Sequence, residues 1–228
     1  MFAHNPFDTP EHYPFSLNGP RPAALLVHGY PGTPREMRPL AEALHDSGWT
    51  AHALLLPGFG PEMATLSAKT ADDWRLAVSR ALSDLRRDGH TPLILVGNSM
   101  GAALSLSVAA ETPPDALILL APFWKLPGLL WQSLPLMKRL FPQVRPFRLF
   151  KPDFNNPDFR KGAANFAPGA DLDDPAVRQA IRDFTLPVGM FDEIRKAGLG
   201  GTAAAARVRV PTLIIQGRQD PLVRPALT

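Results

Sequence analysis

Apolar residues along this chain follow two alternating patterns. "AALLVHGY" (23–30) is a near-continuous apolar run closed by Gly and Pro, which suits a strand buried on both faces of a parallel sheet. From Thr33 the period becomes helical. Thr33 reads as an N-cap, Pro34 as the first helical residue and Glu36 as the reciprocal capping partner. Met37, Leu40, Ala41 and Leu44 share one face, and Gly48 supplies the stop. "WTAHALLLPG" (49–58) is the next strand. Thr70 then opens a helix with Asp73 in its first turn and Trp74, Ala77, Val78, Ala81 and Leu85 on one side, ended by Gly89. "PLILVGNS" (92–99) runs directly into the small-residue helix "MGAALSLSVAA". "DALILLAP" (115–122) is a fourth strand and "VPTLIIQG" (210–217) a fifth. Strands alternating with helices of this length predict an α/β fold whose mostly parallel sheet is flanked by helices.

From about 123 to 206 the rhythm breaks. The stretch begins rich in Pro, Phe and basic residues, then resumes with short helices, one opened by Asp174-Pro175 with Val177, Ile181 and Phe184 on a face. It is too long for a loop and reads as an inserted helical cap. The expected organisation is therefore a core at 1–122, a cap at 123–206 and a second core piece at 207–228. Trp124, Trp131, Leu134 and Met137 stand out in the cap as either packing residues or the lining of an acyl tunnel. Phe147 and Phe150 follow them. The interleaved Lys125, Lys138, Arg139, Arg145, Arg148 and Lys151 make the cap basic, which reads first as a solvated face and otherwise as at most peripheral contact with an anionic lipid surface.

Composition narrows the class. With 228 residues the chain can bury one core. A net charge of +3 without a long basic run points away from nucleic acid. Without cysteine there is neither a disulfide framework nor a thiolate metal site, and nothing calls for a metal or cofactor. The N-terminus lacks the basic and apolar regions of a signal peptide, and no run reaches the roughly 18 apolar residues of a membrane span. The expected location is the cytoplasm.

"GNSMG", Gly97 to Gly101, fits G-x-S-x-G at the point where an apolar strand turns into a helix, the context this motif requires. Gly97 and Gly101 leave room for the bend, which lifts the Ser99 hydroxyl out at the carboxyl end of the sheet. A hydroxyl attacking an acyl carbon makes an oxyanion, and each N–H donor aimed at it is worth about 10²–10³ in rate. One donor is the backbone N–H of Met100, at a helix N-terminus. Tyr30 N–H, in the "HGYPG" loop where Gly29 and Gly32 permit close approach, is the second.

"LLVHGYPGTP", "LVGNSMGA" and "PTLIIQGRQDPLV" resemble the α/β-hydrolase family, in its carboxylesterase and monoacylglycerol-lipase-like branch. The resemblance implies Ser99 as nucleophile, Asp220 as the acid that orients a histidine, and that histidine some tens of residues later. Yet His4, His12, His28, His45, His52 and His90 all precede Ser99. His28 belongs to the oxyanion loop, where a structural role is expected. "DPLVRPALT" reads as a helix begun near Pro225, so the expectation is a chain that stops before its base, together with the last helix and strand. Loss of a triad member costs about 10⁶ in kcat, roughly 8 kcal/mol, so the 228-residue chain is expected to be nearly inactive. The implied activity is hydrolysis of small-molecule carboxylic esters with medium or long acyl groups, monoacylglycerols among them. An amidase or peptidase on the same machinery, and a non-catalytic binding protein, stay open as alternatives. Acyl length and oligomeric state are not readable.

Overall fold

The computed structural model describes residues 5, 7–126, 128–149, 152–166, 170–183, 185–220, 223 and 225. The expected strands form, each shorter than its sequence run, and the last of them, Thr212–Ile215, is exposed at all four residues. After a short β1 (Phe15–Leu17) come β2 (Ala23–Val27), α1 (Pro34–Asp46), β3 (Thr50–Leu54) and a run of 3-10 turns over Gly60–Ala68. Then follow α2 (Ala71–Arg87), β4 (Leu93–Asn98), α3 (Met100–Ala109) and β5 (Ala116–Leu120). The cap stretch holds α4 (Leu129–Leu140), β6 (Gln143–Val144), α5 (Pro146–Leu149), α6 (Pro157–Phe166), α7 (Pro175–Arg182) and β7 (Leu186–Pro187). The long α8 (Val188–Ala205) and β8 (Thr212–Ile215) close the described chain.

The main sheet has the order β1-β3-β2-β4-β5-β8, with β1 antiparallel to β3 and the remaining pairs parallel. Alternate residues of β2 explain its unbroken apolar run. Ala23, Leu25 and Val27 join the core beneath α2, α3 and α8, while Ala24 and Leu26 join Met37 and Ala41 of α1 on the other face. Every residue of α3 is buried, Ser105 and Ser107 included, as a helix of small and mostly apolar residues allows. α2 begins with the expected cap: Thr70 accepts from Asp73 N–H while Asp73 accepts from the Thr70 backbone.

Two expectations change. Glu36 does not complete a capping box on α1, because Thr33 Oγ1 instead pairs with His12 Nδ1 at 2.8 Å. α8, in a region read as short helices, runs for 18 residues and packs along α3. Phe150, Lys151 and Phe184 lie outside the described residues, and the helix start expected near Pro225 runs into others that do.

The geometry that matters for chemistry follows from strand order. The connection after β2 goes outward to β3, and the next strand, β4, pairs on the opposite side of β2. The loops after β2 and β4 therefore diverge at neighbouring strand ends, the switch point where open α/β sheets leave a crevice for ligands.

Candidate active site

Ser99 stands at that crevice, between the last residue of β4 and the first of α3, with φ 52° and ψ −115°. A non-glycine residue with this backbone is strained by about 1–3 kcal/mol and persists only where its surroundings fix it. Here Ser99 N–H donates to Leu120 O at 2.8 Å, and Ser99 O accepts from Phe123 N–H at 3.1 Å. The strain is held by the end of β5. A Cβ on Gly97 would collide with Gly101 O and Ala102, and one on Gly101 with the His28 and Val27 carbonyls. Both glycines are thus required by backbone contact, as the motif suggested.

Met100 N–H belongs to the first turn of α3, where no carbonyl four residues back can accept it. On the other side, a Cβ on Gly29 would lie 2.9 Å from Ser99 Cβ and 3.6 Å from Ser99 Oγ, so the loop after β2 touches the serine. Tyr30 follows at once. Its half-buried ring meets Phe59 and Phe191 edge-on, each at 6.2 Å, and burial pushes its hydroxyl up to about 12.

Glu36 is the residue sequence reasoning misplaced. Its Oε1 accepts from Gly29 N–H at 2.6 Å and from Asn98 Nδ2 at 3.0 Å, tying the loop after β2 to the residue before Ser99. Gly32 has no side chain because the Glu36 carboxylate fills that space. The capping signal was real in composition but spent on a different amide.

His28 is fully buried. Its Nδ1–H donates to Gly29 O at 2.9 Å while Nε2 accepts from Leu56 N–H at 3.0 Å, and burial depresses the ring to about 4. With both nitrogens engaged and the ring neutral, it braces two loops and has no lone pair for Ser99. His12 pairs with Thr33, His52 Nδ1 with Ser16 Oγ at 2.7 Å, and His90 with Arg21 O. His45 lies in the last turn of α1, and His4 is outside the described residues.

Asp220 follows β8, two strands from β4 on the same carboxyl edge. Strand spacing sets the two strand ends roughly 10 Å apart. Asp220 Oδ1 accepts from Val223 N–H at 2.8 Å, which shapes the loop carrying it. In the cap, Trp124 and Trp131 pack against the main core, Trp131 edge-on to Phe123 at 5.7 Å, and Leu134 is buried. Met137 is half-buried. Among the described residues no cluster of His, Asp and Glu fits a metal ion.

The family model described as serine aminopeptidase, S33, matches residues 18–228. A thermostable monoacylglycerol lipase of Bacillus sp. (strain H-257) is 37% identical over 99 residues, 43% of this chain and 39% of that protein. A carboxylesterase of Bacillus subtilis (strain 168) is 29% identical over 105 residues, 46% of this chain and 43% of that protein. The match therefore spans about two fifths of either relative's length. Among solved structures, one reported for the metagenome-derived lipolytic enzymes LipS and LipT superposes with a TM-score of 0.71 at 23% identity, over 95% of this chain and 80% of that one. At that identity the likeness concerns the fold.

Proposed function

The chain belongs to the family described as serine aminopeptidase, S33, and from that membership we propose that it is a cytoplasmic serine hydrolase cleaving carboxylic esters. The observation that carries the reading is Ser99 itself, strained at φ 52° on the strand-to-helix bend with the loop after β2 in contact. Its Oγ attacks the acyl carbon, and the carbonyl oxygen moves toward Tyr30 N–H and Met100 N–H, where two fixed amides receive the charge. The base takes the Oγ proton and gives it to the departing alcohol, an acyl group stays on Ser99, and water then releases it as the carboxylic acid and restores the hydroxyl. Asp220 holds the tautomer of the imidazole that serves as base, a role for which His28, with both nitrogens engaged, is not available. Trp124, Trp131, Leu134 and Met137 supply the apolar surroundings of the acyl chain, and esters with medium or long acyl groups, monoacylglycerols included, are the substrate class.

The family description itself favours a second reading, cleavage of an N-terminal aminoacyl bond. Such a substrate presents an ammonium, whereas residues 123–206 carry twelve Lys or Arg against eight Asp or Glu, a balance that disfavours a cation. The test follows Ser99 acylation by p-nitrophenyl octanoate, using intact-protein mass and added imidazole as a surrogate base. One octanoyl group per chain, absent from Ser99→Ala and formed faster with imidazole, is expected. Acylation unchanged in Ser99→Ala, or transfer only from aminoacyl p-nitroanilides, overturns the esterase reading.

A further inference from the structure

Helix α4 is apolar on its outer face as well as its inner one. Leu129, Leu136 and Leu140 recur on one side of it and are 80%, 60% and 64% exposed; Leu130 and Phe141, beside them, are 68% and 59% exposed. The opposite side carries Trp131, the buried Leu134 and Lys138, whose Nζ sits 2.6 Å from Asp192 Oδ2. Asp192 is only 1% exposed, and Arg195 is its second partner at 2.8 Å. A surface helix ordinarily turns leucines inward and ammonium groups outward. Here an ion pair fastens the helix to α8 while five large apolar side chains face water, an arrangement that signals something covering them.

Charge identifies the cover. Phe123 to Pro152 contains six Lys or Arg and no Asp or Glu. Lys125, Arg139 and Arg145 are exposed, and Arg139 lies beside Leu136 and Leu140 on the helix. We propose that this face docks on an anionic lipid surface, its leucines entering the acyl boundary and the three cations meeting lipid phosphates. A second copy of the chain is a poorer occupant, because pairing the two faces sets like charges against each other. Among the described residues no helix is long and apolar enough to cross a membrane, so α4 lies on the surface. The inference goes beyond ester cleavage: it places the cap at the phase where long-chain esters reside, and it does not depend on Ser99.

Sedimentation with vesicles tests it. The protein is expected to bind vesicles of equimolar phosphatidylcholine and phosphatidylglycerol at least about tenfold more tightly than phosphatidylcholine alone, and less tightly as salt rises. Leu136→Gln with Leu140→Gln lowers that binding about tenfold or more without changing the melting temperature, since neither side chain is in the core. Lys125→Gln with Arg139→Gln removes the preference for anionic vesicles. No binding, or binding unaltered by the leucine pair, overturns the proposal. So does a lipid-free dimer in sedimentation velocity that the leucine pair abolishes, since a second copy would then be the occupant. Failure of Ser99 acylation leaves the proposal standing, because binding is read without substrate.

Discussion

One carboxylate decides how the oxyanion loop sits. Gly29 N–H is one peptide before Tyr30 N–H, so the Glu36 bond at 2.6 Å anchors the loop just upstream of the donor, whose own peptide is held by His28 Nδ1–H on Gly29 O. The same oxygen holds Asn98, the residue before Ser99, so nucleophile and donor share a positioning residue. Glu36→Ala frees both, and an oxyanion donor out of line is expected to slow Ser99 acylation about 10- to 100-fold while half-saturation stays within about twofold. Glu36→Gln keeps an oxygen able to accept both bonds, and restores most of the rate. Single-turnover acylation across an ester concentration series separates the two; equal losses in both variants, or a loss confined to half-saturation, sinks the positioning role. From sequence, Glu36 was visible three residues after a Ser/Thr-type cap. The competing acceptor role was not, since it depends on Asn98, 62 residues further along the chain. Ser99, Gly97 and Gly101 were legible because their constraint is local, a bend too tight for a Cβ.

At the scale of elements, legibility follows how local the cause is. β2 and β4 were readable because burial on both faces writes a continuous apolar run, and α2 because its cap and period agree. α8 was not, because "GLGG" within it reads as a break. Its glycines answer to tertiary packing instead. A Cβ on Gly198 would strike the Trp124 carbonyl, and one on Gly201 would lie 2.8 Å from Ala103 O. The helix can approach α3 and the start of the cap only without those side chains. Gly200 differs: its nearest neighbour would be Ser107 Oγ at 3.4 Å, an ordinary contact. Gly200→Ala is therefore expected to stabilise the protein by about 0.5–1 kcal/mol through helix propensity. Gly198→Ala is expected to cost about 1–3 kcal/mol through overpacking. Urea unfolding of both variants checks the contrast; shifts of the same sign contradict the packing account.

For the whole molecule, buried histidines set the acid limit of the fold. His28 joins the end of β2 to the chain after β3 through two bonds that need a neutral ring. Its folded value of about 4 lies below the ordinary 6.5, so the unfolded chain takes up a proton that the folded chain refuses. The stability from this group is complete above about pH 6.5 and drains away as pH falls toward 4, reaching a loss of about 2 kcal/mol by pH 5. Burial lowers His12 and His52 in the same direction, which steepens the same window. Asp192 behaves differently: its bonds to Lys138 and Arg195 outweigh burial and hold it below 3.8, so its stability is lost only at more acid pH. The two sources separate in a titration of unfolding free energy. Between pH 7 and 5 the wild-type protein should lose stability, and His28→Gln, which has no ring to protonate, should lose about 2 kcal/mol less over that interval. Equal slopes for the two proteins would show that His28 already takes its proton in the folded state, and that the loops it braces tolerate an imidazolium.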